Sequence, residues 1–199
     1  MPIEFQITGA KELVAKLQQV GPKVRENARD GIQRLQQTLR NNIQRLFLSG
    51  TPLHVRTGNL RNSINVGPIQ ETSSEIRGPV GTNALYAAIQ NYGGTITPKS
   101  AQYLTIPLDA AKTPSGVARF SARQIIANPG EGGYKSTFFR NQVLFGVQQG
   151  GTIEALFALK SSVTIPARPF MEPGLESVRD DMSATMALAV QRAKEGLGL

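Results

Sequence analysis

Apolar positions recur at helical spacing in two long stretches of this 199-residue chain. From Lys23 to about Leu48, Val24, Ala28, Ile32, Leu35, Leu39, Ile43, Leu46 and Phe47 follow one another in steps of three and four, apart from the final Leu46-Phe47 pair. That pattern predicts an amphipathic helix, spanning roughly 40 Å at the usual rise per residue. Gly21-Pro22 supplies its start, with proline at the first helical position, and Ser49-Gly50-Thr51-Pro52 ends it. Gly31 is a slight weak point. The second stretch opens at Glu172-Pro173, keeps helical spacing through Leu175, Val178, Met182, Met186, Ala189 and Ala193, and ends at Gly196. Before the long helix, Ile3, Phe5 and Ile7 alternate with Glu4, Gln6 and Thr8, a half-buried strand. A short helix over Ala10–Val20 follows, with Leu13, Val14 and Leu17 on one face.

The middle of the chain reads as strands and turns. Thr57 caps a short helix through Leu60 and Ile64, with Arg61 pointing outward. Residues 64–70 and 74–80 form a hairpin around Glu71-Thr72-Ser73-Ser74. Pro68 and Pro79 belong at edges or ends, because proline has no N–H for a ladder. Tyr86, Ile89 and Tyr92 recur every three residues before the helix stop at Gly93, and an aromatic helix face of this kind is more often core than ligand site. Further strands are expected at YLTIPL (103–108), STFFRNQVLFGV (136–147) and TIEALFALK (152–160), the last two on either side of Gln148-Gln149-Gly150-Gly151. A last strand is expected at Ser162–Ile165. Pro166 and Pro169 hold the following chain extended around Arg168, and Phe170 anchors it. The fold class is α+β: a mostly antiparallel sheet packed against a long N-terminal helix and a C-terminal helix. The reading is of one domain, 1–199, carrying a loop and strand insertion at about 109–161.

Composition narrows the chemistry. There is no cysteine, so disulfides, thiolate catalysis and cysteine-ligated zinc are out. His54 is the only imidazole, so a hydroxyl nucleophile has that single histidine to draw on, and a metal there lacks partner ligands nearby at ligand spacing. Gly130-Glu131-Gly132-Gly133 imitates a phosphate loop, but its carboxylate would repel the ligand. Asp180 and Asp181 are adjacent on a helix and diverge by about 100°. The expectation is a protein that is not an enzyme and holds no cofactor or metal. No apolar run approaches the ~20 residues of a membrane span, and the first residues lack a signal-peptide pattern, so synthesis in the cytoplasm is expected. A net charge of +8 and a pI near 10.1 favour an acidic partner. The arginines of the long helix, with Arg56 and Arg61, could follow phosphates, although a solvated helix face explains them as simply.

Three segments taken together carry more information: RTGNLRNSI at 56–64, VGTNALYAAIQNYGGTI at 80–96, and TIPARPFMEPGLE at 164–176. Their order, between a long N-terminal helix and a C-terminal helix, resembles the tailed-phage virion morphogenesis proteins, variously called tail-completion, tail-terminator or head–tail joining (neck) proteins. The resemblance implies a structural protein of the virion, forming a ring at the head-proximal end of the tail, with a hexamer expected from tail symmetry. Its implied partners are copies of itself, the tail tube protein and the head connector, with DNA passing through the channel. It makes Arg56, Thr57, Gly58, Arg61, Tyr86, Tyr92, Arg168 and Phe170 candidate structural or interface residues. The alternatives are a basic nucleic-acid-binding protein and an assembly factor that does not stay in the virion.

Overall fold

The computed structural model describes residues 3–6, as backbone, and 21–196. The expected helix over Ala10–Val20 lies outside the described residues. The chain forms two compact units: one contains the chain up to Tyr92 and again from Ala167 onward, and the other is Gly93–Pro166.

In the first unit the long helix is α1, Pro22–Asn42, and it runs on into a π-helical turn at Ile43–Phe47. The periodicity placed it closely. Val24, Ala28, Ile32, Leu35, Leu39 and Ile43 are all buried, whereas Leu46 is exposed because the wider turn rotates it off the apolar stripe. The three-stranded sheet has the order β1 (Ile3–Gln6), β5 (Pro79–Thr82), β2 (Ile64–Val66), with every pairing antiparallel. The predicted hairpin exists in pieces. Its base is β2 against β5, and its tip is β3 (Gln70–Glu71) against β4 (Ile76–Arg77). Pro79 is the first residue of the central strand, an end position where its missing N–H matters least.

The C-terminal stretch forms two helices rather than one, α5 (Met171–Glu176) and α6 (Arg179–Gly196). α6 lies along α1, and at Gly31 the two approach closely enough that a β-carbon there would strike the Thr185 methyl group. The residue that weakens the helix locally is thus what lets its neighbour approach. Two apolar clusters result, one of Val24, Ala28, Ile32, Ile76, Met186, Ala189 and Ala193, the other around Leu39, Ile43, Ile64, Val80, Phe170 and Met171.

Polar side chains also enter this interior, Gln36, Thr82 and Asn91 among them. Gln36 on α1 is buried, and its Nε2 donates to the carbonyls of Pro79 (2.8 Å) and Gly67 (3.1 Å). It satisfies the backbone where β2 and β5 stop pairing regularly, so the helix is keyed to the sheet by hydrogen bonds as well as by packing.

The second unit has its own core. β8 (Tyr134–Arg140), β9 (Val143–Gln148) and β10 (Ile153–Lys160) form a meander, and β7 (Leu104–Pro107) pairs with β10, all antiparallel. The stretch 136–147, expected as one strand, is two strands joined by a tight turn at Asn141-Gln142. Both turn residues have positive φ, 49° and 60°, as this turn geometry requires, and the absence of glycine hides it from sequence. A bulge at Leu156 in β10 lets Leu156 and Phe157, adjacent in sequence, both face inward. The helix α4 (Ala122–Ala127) begins with a capping box between Ser121 and Gln124, and places Ala122 and Ile125 on the core. The unit's two chain ends, β6 (Gly94–Ile96) and β11 (Val163–Ile165), pair with each other.

Two outcomes are expected. Gln36→Leu takes the side-chain donor from the Gly67 carbonyl, leaves the Pro79 carbonyl with only the Gly67 N–H, and lowers the stability of the first unit by about 1–3 kcal/mol, measured by denaturant unfolding. Tyr134, buried in the second unit with its hydroxyl donating to Glu154 Oε2 (2.8 Å), is pushed up to about 12, first by burial and then by that bond. Its folded value lies above the unfolded one, so its contribution to stability is complete below about pH 10 and is lost as pH rises towards 12. Tyr134→Phe flattens that alkaline loss, read from unfolding midpoints between pH 8 and 12.

Candidate functional site

The three sequence segments singled out above converge on one another. Ser63, at the end of the short helix α2 (Asn59–Ser63), places its Oγ 2.6 Å from Thr82 Oγ1 in β5. Thr82 Oγ1 also accepts the N–H of Ala84, shaping the turn into α3 (Ala87–Tyr92). α3 then meets the returning chain. Asn91 is buried, and its Oδ1 accepts the backbone N–H groups of Phe170 (2.9 Å) and Met171 (3.1 Å), while its Nδ2 donates to Glu172 Oε2 (3.1 Å). The N–H of Arg168 donates to the carbonyl of Gln90 (2.9 Å). One primary amide therefore satisfies donors at the start of α5, where helix geometry leaves them without intrahelical partners, and also steadies a carboxylate.

The candidate residues fall into different environments. Arg56 and Thr57 lie in an exposed loop, and Thr57 Oγ1 accepts the N–H of Asn59 at 3.4 Å. The position flanking the helix is Gly58, one residue later than the expected cap. Its φ of 77° is left-handed, which glycine reaches without strain, and its carbonyl accepts from Asn62 N–H (2.9 Å). Arg61 is half-buried on α2, and its carbonyl accepts from Gln44 Nε2 (2.9 Å). Arg168 is exposed. Phe170 is completely buried in the first unit's own core, so it fixes the segment that carries Arg168 and presents no surface itself.

The aromatic face of α3 does not enter the core. Tyr86 and Tyr92 are 44% and 56% exposed, and the helix buries Ala87 and Asn91 instead, with Ala84 and Ala88 packed beside them. Next to Tyr92 an open groove of about 480 Å³ runs along α5, walled by Tyr92, Ala167, Pro169 and Pro173 and rimmed by Glu172 and Glu176. The Tyr92 hydroxyl is raised above its ordinary value, by burial first and by the Glu172 charge second.

Among the described residues no group of histidine, aspartate and glutamate is arranged to hold a metal ion, and no helix is long and apolar enough to cross a membrane. His54 sits exposed in its loop.

Residues 8–93 match a bacteriophage family. It is the HK97-gp10-like family, described as "Bacteriophage HK97-gp10, putative tail-component". The match covers a little under half of the chain and supports a phage tail or neck family for it, without distinguishing a tail terminator from other members. It ends where the chain passes from the first compact unit to the second. No curated protein and no solved structure matches.

Asn91 offers a direct test of the junction between motifs. Asn91→Ala orphans two buried N–H groups and is expected to cost roughly 2–4 kcal/mol. Asn91→Asp keeps the acceptor but sets a second carboxylate against Glu172, so its loss is greatest at neutral pH and shrinks as the pair takes up a proton. Unfolding midpoints of both variants at pH 4.5 and pH 7.5 would separate the two effects.

Proposed function

We propose that this protein is a structural component of a tailed-phage virion at the head–tail junction. It forms a ring that terminates the tail tube, joins it to the head connector, or does both. The observation that carries the reading is the match of residues 8–93 to a phage tail-component family, on a unit whose three motif segments are occupied in holding one another. Side chains used in that way make a rigid scaffold. The exposed Tyr86, Tyr92 and Arg168 then offer surface to neighbours, and a tyrosine with an apolar ring and a wet tip suits a subunit boundary.

On this reading the chain is not an enzyme. Its partners are copies of itself, with six expected, together with the tail tube protein and connector proteins, and its location is the virion. The second unit reaches an adjoining neck or tube protein, since loops on a rigid sheet are where partner contacts are commonly placed. One feature favours a competing reading as a nucleic-acid-binding protein: between Gly31 and Gln70 the chain has five arginines and no acidic residue.

Purified particles carrying a tagged copy separate these readings. The tag is expected at the head–tail junction with about six copies per particle, as a closed ring predicts. Absence from finished particles would make the chain an assembly factor. A monomer whose DNA affinity falls steeply with salt would make it a nucleic-acid binder. Arg168→Ala is expected to lower the fraction of tails joined to heads, counted by negative-stain imaging, and an unchanged fraction removes Arg168 from the contact.

A further inference from the structure

Charge in the first unit is divided between two flanks of α1. Asn27 and Asn42 reach one side, donating to the Ala189 carbonyl of α6 (3.3 Å) and to Ser177 Oγ, between α5 and α6 (3.0 Å). Gln36, Arg40 and Gln44 reach the other, bonding the carbonyls of Pro79, Ile64 and Arg61. At about 100° per residue, residues 27 and 42 lie on nearly the opposite face of the helix from 36 and 40. The α5 side is acidic: from Met171 to Asp181 there are four carboxylates and one arginine. Around β2 and α2 the sheet side is basic, with Arg40 and Arg61 half-buried and Arg45 exposed inside the stretch that contains no acid, while the β3–β4 tip is balanced, Glu71 pairing with Arg25 and Glu75 with Arg77.

Helix ends explain part of this. Asp180 and Asp181 sit in the first turn of α6, where negative charge is favoured. Glu176 does not fit that account. It ends α5, where the helix dipole disfavours a carboxylate, and it pairs with Arg179 at 2.8 Å with both side chains exposed. It also rims the groove walled by Tyr92, Pro169 and Pro173. A carboxylate edge beside an aromatic ring and two prolines suits an arginine: the guanidinium takes the carboxylate and its flat face lies on the ring.

We propose that this groove receives the arginine-bearing flank of a second copy of the chain, so that copies join head to tail. The inference rests on the ring reading above and says which surfaces close the ring. Donor and acceptor lie on opposite flanks of one helix, so the contact is heterologous and propagates from copy to copy, as a ring requires and a simple two-fold dimer does not.

The test is charge reversal read by mass photometry and light scattering of the purified full chain across a salt series. Glu176→Arg and Arg61→Glu are each expected to weaken association roughly a hundredfold, since like charges set face to face cost several kcal/mol. Mixing the two variants, or placing both changes in one chain, is expected to restore the wild-type particle. Circular dichroism confirms that each variant is folded, and Glu176→Gln with Arg45→Glu provides a milder pair if either reversal fails to fold. Oligomers that form normally with every reversal would overturn this contact and leave the ring standing. A wild-type chain that stays monomeric at all concentrations would overturn both.

Discussion

The two stretches of chain that make up the first unit are tied together by a buried amide. Asn91 joins a helix that ends at residue 92 to a helix that begins at 171, and everything between them belongs to the other compact unit. Few side chains can do this. The site asks for an acceptor facing two backbone N–H groups and a donor facing a carboxylate, at one position with almost no access to water. Leucine would fill the space and orphan both N–H groups. Aspartate would supply the acceptor and repel Glu172. The amide meets both demands because it carries an acceptor and a donor on one planar group. Beside it, the Arg168–Gln90 backbone bond fixes the returning chain in the same place. Closing a long excursion costs entropy that grows only slowly with its length. Once these bonds hold the two ends together, the intervening segment can be large without loosening the unit.

That arrangement explains how a family-like scaffold and a separate unit share one chain. The ends of the second unit pair with each other through β6 and β11, and its apolar residues gather round Tyr134, Leu144, Leu156 and Phe157 with a capped helix of their own. Each unit is closed by its own interactions at its chain ends: an amide and a backbone bond in one, a short ribbon in the other. A segment closed in this way needs little from its host except two adjacent attachment points. The family match stops at residue 93, where the host hands over the chain.

Much of the first unit could be read in advance because its signals are periodic and apolar. The stripe from Val24 to Ile43 placed α1, and the alternation at 3–8 placed β1, of which residues 3–6 are described. Where the reading failed, small or polar residues carried the structure. In α3 the large residues at 86, 89 and 92 drew attention, yet Ala84, Ala87, Ala88 and Asn91 form the i, i+3, i+4, i+7 set that faces inward. A pattern of small residues was present, but hydrophobic ranking discounts alanine and asparagine. The C-terminal stretch kept helical spacing across Ser177 and Val178, so nothing in its periodicity marked the break between α5 and α6. The Asn141-Gln142 turn was hidden for a related reason, as a left-handed glutamine leaves no trace in composition. The groove beside Tyr92 could not be foreseen, since it is made by residues some eighty positions apart that only the folded chain brings together.

The charge pattern shows why net charge alone was a poor guide. A sum of +8 suggests a uniformly basic surface and hence a polyanion. The first unit instead sets a carboxylate-rich α5 and α6 start against an arginine-rich part of the sheet flank around α2 and β2, with α1 between them. A basic surface that served only to bind phosphates would gain nothing from an acidic counterpart on the same body, which would add a repulsive field. A building block that meets its own copies does gain, because opposite signs on opposite flanks attract in one relative orientation and repel when like flanks meet. In the proposed ring the asymmetry would therefore select the order in which copies join as well as favour their association. Individual exposed ion pairs contribute little, so strength must come from the aromatic and proline walls of the groove, and the charges supply direction.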